Sequence, residues 1–303
     1  VRGKRDRKDV QEFAFDFMGN IIALHEELVS GSYRHGGYEH FVVHDPKQRD
    51  IHKASVRDRL VHHAVYRVLY PFFDRTFIAD SYSCRLGKGT HRAMDRFRTF
   101  AYQASNNHAR TVWVLQCDIR KFFASIDHAV LLRILAEYIP DRRIMGLLQN
   151  IIASFSGVRQ GIGLPLGNLT SQLFVNVYMN IFDQWVKHTV KARGYTRYAD
   201  DFVIFSYDRS RLEAQIPRIA DFLNNQLHLT LHPDKVHIRT VASGVDFLGW
   251  VHFLDHRVLR TKTKRRMMRT IENKRGNPHV LQSYLGLLRH GNTKMLQGTA
   301  ERM

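Results

Sequence analysis

The stretch from Thr196 to Tyr207, TRYADDFVIFSY, constrains the fold more than any other part of the chain. Two strand-like runs flank a tight acidic turn, which predicts a β-hairpin carrying adjacent carboxylates, Asp200 and Asp201. Acids set between apolar runs repel each other and are costly to desolvate. A second stretch ends the same way: 111–117, TVWVLQC, is β-branched, aromatic and largely apolar, and it runs directly into Asp118. Three acids at strand ends or hairpin tips ask for one sheet that lets them converge, backed by helices.

The remaining text supplies those helices. Apolar residues at helical spacing predict helices over 8–30, over 56–73 as far as Pro71, over 91–105, over most of 126–155, and over 169–190. A further helix is predicted over 211–227, with Pro217 kinking it or falling in its first turn. Phe41-Val42-Val43, Leu229–Thr240 and Val245–Phe253 are strand-like, and 161–167 is a Gly/Pro-rich loop. Strand, helix, hairpin, helix and strands in that order predict an α+β core: a small antiparallel sheet backed by helices. Residues 256–303 carry twelve Lys/Arg against two Asp/Glu and read as a basic helical module, short or cut short.

Charge narrows the partners. The 303 residues hold 46 Lys/Arg against 28 Asp/Glu, a net charge of +18. Such an excess favours a polyanion, because each cation near a phosphate can displace a condensed counterion. No basic amphipathic membrane helix stands out, so nucleic acid is expected rather than anionic lipid. No apolar run approaches the ~18 residues of a membrane span, and no secretory signal pattern opens the chain. Cys84 and Cys117 offer neither a disulfide framework nor paired zinc-ligand spacing, so a reducing cytoplasm is expected. The 18 histidines do not suggest a metal centre: the adjacent His62 and His63 would point about 100° apart on a helix.

A divalent cation would resolve the conflict among the acids. Mg²⁺ takes oxygen ligands, often one or two carboxylates together with substrate phosphates. Asp118, Asp200 and Asp201 converging on two ions is the arrangement that two-metal phosphoryl transfer requires, one ion activating a 3′-hydroxyl and the other stabilising the leaving pyrophosphate.

These motifs resemble a known family. Tyr198-Ala199-Asp200-Asp201 resembles the Tyr-X-Asp-Asp box of reverse transcriptases, and Asp118-Ile119-Arg120-Lys121-Phe122-Phe123 their first catalytic motif. The stretch from Gly163 to Gln172, GLPLGNLTSQ, is similar to the motif between the two, and Asp118 and Asp200 stand 82 positions apart in the family's order. Arg57–Ala64, Asp80–Arg85 and Gly87–His91 resemble the fingers blocks of prokaryotic enzymes, and Phe247-Leu248-Gly249 the strand before the thumb. Ser171-Gln172 stands where most bacterial relatives have Ser-Pro; together with the Ser-Tyr-Ser-Cys-Arg and Gly-Lys-Gly-Thr-His blocks it is similar to the enzymes of diversity-generating retroelements, in the group II intron-like lineage.

The resemblance implies a right-hand polymerase. Its fingers would occupy 1–110 and its antiparallel-sheet palm 111–254, with an inserted fingers segment at about 130–165 and a short basic helical thumb at 255–303. It implies an RNA-directed DNA polymerase of bacterial, archaeal or phage origin, error-prone, using two Mg²⁺ ions with Mn²⁺ as a substitute. Asp118, Asp200, Asp201 and the Ile119 backbone would hold the metals. Phe123 would lie under the incoming sugar, where a 2′-hydroxyl would clash; Lys47 and Arg49 would meet the triphosphate, Gln172 the nascent pair, and Lys235 the leaving pyrophosphate. Tyr198, Leu166 and Gly167, with the thumb residues Arg265, Arg266 and Arg269, would hold template and primer. Implied partners are an RNA template, the cDNA or primer strand, dNTPs and a small basic helical accessory protein. The alternatives are an antiphage-defence or group II intron-type reverse transcriptase, or a catalytically idle RNA-binding module.

Overall fold

The computed structural model describes residues 3–44, 48–274 and 277–302. They form two compact units: residues 1–79, 119–185 and 220–230 make the first, and residues 80–118, 186–219 and 231–303 the second. Among the described residues, no helix is long and apolar enough to cross a membrane.

The first unit opens with α1 (Lys8–Phe15) and α2 (Phe17–Ser30), where the spacing predicts a single helix. Asp16 breaks it by leaving helical geometry and accepting a hydrogen bond from the Gly19 N–H, so it caps α2. β1 (Tyr38–Val43) and β2 (Arg49–Ala54) form an antiparallel hairpin. α3 (Val56–Asp74) starts at a Ser55 cap and runs through Pro71 rather than ending there. Pro71 and Arg67 are exposed, so the carbonyl that Pro71 leaves without a donor sits on the solvent side. The helical text after Ile126 divides into α5 (His128–Ala136) and α6 (Arg142–Ala153), capped by Asp127 and Asp141. The long α7 (Leu169–His188) follows the glycine-rich loop as predicted.

The second unit is built on a four-stranded sheet in the order β4-β5-β3-β6, antiparallel throughout: β3 is Trp113–Asp118, β4 Gly194–Tyr198, β5 Asp201–Ser206 and β6 His237–Thr240. The middle of β5 is buried on both faces, as its unbroken Phe-Val-Ile-Phe run requires. α4 (Thr90–Ala104) packs Ala93, Phe97, Phe100 and Ala101 against Val114, Val203 and Phe205 of the sheet. α8 (Arg209–Leu227) passes through Pro217, which is exposed and lies well inside the helix.

The strand-like text at 245–253 is two strands. β7 (Val245–Phe247) turns through Leu248-Gly249, both with positive φ, into β8 (Trp250–His252), which pairs with β9 (Arg257–Leu259). Left-handed geometry at both central residues matches the twist of a tight hairpin. α9 (Thr261–Asn273), α10 (Pro278–Leu288) and α11 (Lys294–Glu301) follow. Met267, Ile271, Leu288 and Ala300 of these helices share a buried cluster with Trp250, Leu259 and Met94.

Gly291 lies against the Trp250 ring, and a Cβ there would enter the ring's van der Waals envelope. Gly291→Ala is therefore expected to destabilise the protein by about 1–3 kcal/mol through overpacking. Urea unfolding checks this; an unchanged midpoint would contradict the close packing.

Candidate active site

Strand register brings the acids together. Asp118 ends β3 directly opposite Asp201, the first residue of β5. Tyr198 pairs with Asp201, so Ala199 and Asp200 form a two-residue turn. Ala199 has φ +56°, a conformation that costs a non-glycine residue energy and is stored by the surrounding structure.

The electrostatics are those of crowded anions. The Asp201 carboxyl is pushed up to about 8, first by burial and then by the negative charges of Asp200 and Asp118, while the Gln116 amide acts the other way. Oδ1 of Asp201 is buried and has no hydrogen-bond partner. Asp118 instead has a cation: Lys235 Nζ lies 2.8 Å from its Oδ1. The backbone joins them too, since the His232 N–H donates to the Asp118 carbonyl and the Lys235 N–H to the His232 carbonyl. Gln116 Nε2 donates to the Asp246 carbonyl at 2.7 Å, and Asp246 pairs with Arg260.

An all-oxygen, multiply negative donor set with a buried unpaired oxygen suits a hard divalent cation such as Mg²⁺. Among the described residues, no three or more ligating side chains are drawn in to coordination distance. Ile119, named as a backbone ligand, follows Asp118 with its side chain buried.

The other motif residues are divided between the two units. In the second unit, the Tyr198 hydroxyl accepts from Thr90 at 3.3 Å, so the Gly-Lys-Gly-Thr-His block supports the acidic hairpin. Arg265 and Arg269 are exposed on α9, opposite the buried Met267 and Ile271, while Arg266 is half-buried. In the first unit, Phe123 is half-buried in a single turn of 3₁₀ helix, edge-on to the buried Phe122, and its carbonyl accepts from Leu164. The loop that follows is stitched to β2: the His52 N–H donates to the Leu166 carbonyl at 3.0 Å, and Asn168 Nδ2 donates to the His52 carbonyl at 2.7 Å. Gly167, at φ +107°, approaches Ile51 so closely that a Cβ would collide with it. Gln172 lies half-buried in the first turn of α7. Arg49 is exposed and paired with Val43 at the start of β2, not in the preceding loop. Lys47 lies outside the described residues.

Sequence reasoning gave no role to His52 or Arg197 and placed Asp80 only within a fingers block. His52 acts through its backbone and leaves no side-chain signal. Asp80 is buried and binds Arg96 at 2.8 Å and Lys187 at 3.1 Å. Arg197 is 1% exposed, and a charged residue within a strand-like run next to the acidic turn was its one available signal.

Known proteins share this framework. YkfC of Escherichia coli K12 is 27% identical over 290 residues, covering 82% of this chain and 73% of that protein. The group II intron-encoded protein LtrA of Lactococcus lactis is 21% identical over 288 residues, 73% of this chain and 46% of LtrA. The putative COX1/OXI3 intron 1 protein of Saccharomyces cerevisiae is 23% identical over 172 residues, 54% of this chain and 20% of that protein. Among solved structures, telomerase from Candida albicans, in complex with a TWJ fragment of telomeric RNA, aligns with a TM-score of 0.57 at 11% identity, over 88% of this chain and 58% of that one. Apo telomerase from Candida tropicalis gives a TM-score of 0.56 at 10% identity, over 72% and 47%. These likenesses are of fold, a polymerase-like α+β arrangement. The chain thus spans most of YkfC but less than half of LtrA and of the yeast intron protein. The family model described as "Reverse transcriptase (RNA-dependent DNA polymerase)" matches residues 44–252, from the loop after β1 to the end of β8, with all three aspartates inside it. On that match, this chain belongs to the reverse transcriptase family.

Proposed function

We propose that this chain is an RNA-directed DNA polymerase that extends a primer on an RNA template with dNTPs. The observation that carries the reading is the register that sets Asp118 opposite Asp201 beside the strained Ala199-Asp200 turn. Asp118, Asp200 and Asp201 would hold Mg²⁺, or Mn²⁺ in its place, which when bound supplies charge for attack of a 3′-hydroxyl on the α-phosphorus and for departure of pyrophosphate. Lys235, on Asp118, brings a positive charge, and a proton on Nζ, to the side where pyrophosphate leaves. Phe123 walls the sugar site against a 2′-hydroxyl, and Gln172, Leu166 and Gly167 line the nascent pair. Arg49 meets the triphosphate as a fork that can bind it bidentately, and Lys47 meets it as a point charge. Tyr198 contacts the primer end. Arg265 and Arg269 on the outer face of α9, with Arg266, bind the duplex by its phosphates.

In this reading 1–110 are fingers, with 80–110 packed on the palm sheet; 111–254 are palm, with the fingers insertion at about 130–165; and 255–303 are thumb. A retroelement role with low fidelity is the finer reading. Its support is the Leu-Gly-Asn-Leu-Thr-Ser-Gln stretch with the Ser-Tyr-Ser-Cys-Arg and Gly-Lys-Gly-Thr-His blocks. A small basic helical protein would be its partner and the cytoplasm its setting. A group II intron-type role is the second reading, favoured by the likeness to LtrA and the yeast intron protein.

Three measurements check these assignments. Asp118→Asn or Asp201→Asn is expected to lower dNTP incorporation by more than roughly 100-fold while RNA binding persists, because charge stabilisation is lost and packing is not. Primer extension near the parent rate in both variants would refute the reading. Phe123→Ala is expected to shift the rNTP/dNTP preference toward ribonucleotides by about tenfold; an unchanged ratio in competition assays would make Phe123 merely a packing residue. Deep sequencing of cDNA copied from a defined RNA, with any neighbour-encoded basic partner present, is expected to show errors concentrated opposite template adenine. Uniformly low error at all four bases would remove the retroelement role and leave the polymerase.

A further inference from the structure

Arg197 stands one residue before the Tyr-Ala-Asp-Asp box and is 1% exposed. Arginine is rarely buried this completely, and when it is, its donors are spent on partners. Here one arm of the guanidinium donates from Nη1 to the Ala199 carbonyl at 2.9 Å, and the other from Nη2 to Ser81 Oγ at 3.1 Å. The residue thus reaches forward along its own chain to grip the turn, and sideways to a segment 116 positions earlier in sequence.

That segment is itself fixed. The Arg197 N–H donates to the Asp80 carbonyl, and the Tyr82 N–H donates to the Arg197 carbonyl, so Asp80–Tyr82 lies along β4 as a short parallel addition centred on Ser81. Thr196 Oγ1 adds a bond to the Asp80 carbonyl at 3.2 Å. The Asp80 side chain is clamped by Arg96 and Lys187. Ser81 is therefore a rigid anchor for one end of the guanidinium fork.

The other end acts where the backbone is strained. Ala199 holds φ +56° without being glycine. Its carbonyl belongs to the peptide that leads into Asp200, so holding that oxygen fixes the plane from which the Asp200 side chain departs. A turn free to relax toward negative φ would rotate Asp200 away from its place beside Asp201.

We propose that Arg197 is a positioning residue that braces the acidic turn through the Ala199 carbonyl and so sets the carboxylates for a divalent cation. This rests on the polymerase reading only for its consequence in catalysis; the brace itself is a claim about metal affinity. The planar fork matters as well as the charge, because two acceptors in different segments are held at once, which a lysine ammonium on a flexible stem does poorly.

The test uses the full chain with Arg197→Gln and Arg197→Lys, each checked for folding by thermal melting. Mn²⁺ affinity is read by electron paramagnetic resonance titration without nucleotide, and kcat and KM by primer extension. Arg197→Gln is expected to bind Mn²⁺ roughly tenfold more weakly, the usual loss when a group that orients metal ligands is removed. kcat should fall by a similar factor, while KM for dNTP and affinity for template–primer stay within about twofold of the parent, as expected when only transition-state stabilisation is lost. Arg197→Lys should recover little of the Mn²⁺ affinity. A folded Arg197→Gln with the parent's Mn²⁺ affinity overturns the brace, and full recovery in Arg197→Lys overturns the role of the fork. Should Arg197→Gln fail to fold, Ser81→Ala removes one anchor alone and is expected to weaken Mn²⁺ binding about threefold, the effect of one hydrogen bond; parent affinity there also overturns the proposal. Weakened Mn²⁺ binding in Arg197→Gln, alongside a parent that incorporates no dNTP, would sink the polymerase reading and leave the brace standing.

Discussion

Repulsion among three carboxylates is the constraint around which the second unit is arranged. Asp118 and Asp201 face each other across neighbouring strands, and Asp200 is in the turn beside them. Strand pairing alone would not choose this register, since apolar residues could satisfy the sheet without it. The penalty appears in Asp201, whose carboxyl holds its proton to about 8 and whose Oδ1 is buried without a partner. A fold that keeps such a cluster must overdetermine it elsewhere, and here the means are visible: Lys235 on Asp118, the aromatic packing of α4 under the sheet, and the buried Arg197 beneath the turn.

The first unit meets a different requirement, that of holding a loop open but fixed. The Gly161–Gly167 segment carries positive φ at Gly161, Gly163 and Gly167, so it cannot be regular structure. It is held by its backbone: Phe123 accepts from Leu164, and His52 bonds to both Leu166 and Asn168. Phe123, the loop and β2 are thereby one connected piece. Of the residues that the resemblance assigns to nucleotide and template, Phe123, Leu166, Gly167 and Arg49 share this scaffold, even though Arg49 and Leu166 stand more than a hundred positions apart.

Local chemistry made much of this readable in advance. The acidic hairpin, the strand running into Asp118 and the helix after the loop follow from patterns within ten or twenty residues. What escaped depended on distant partners or on backbone geometry with weak residue signals. Asp16 ends one helix and caps the next, although the apolar spacing runs straight through it. Leu248-Gly249 makes a hairpin turn without the Asn-Gly or Asp-Gly pair that would announce it. Pro71 and Pro217 are tolerated inside helices because they face solvent. Arg197 reads as a stray charge until Ser81 is known to lie beside it.

The short strand-like pairing of Ser81 with Arg197 also bears on how the chain is made. β4 is one of the two outer strands of its sheet, and an uncovered outer strand is a template on which other chains can pair and aggregate. The segment that covers it, Asp80–Tyr82, leaves the ribosome more than a hundred residues before β4 does. Its anchor on α4, the Asp80–Arg96 pair, is likewise synthesised early. When β4 emerges, the strip that pairs with its edge at Arg197 has therefore already been made, and the hairpin can close against it rather than against neighbouring nascent chains.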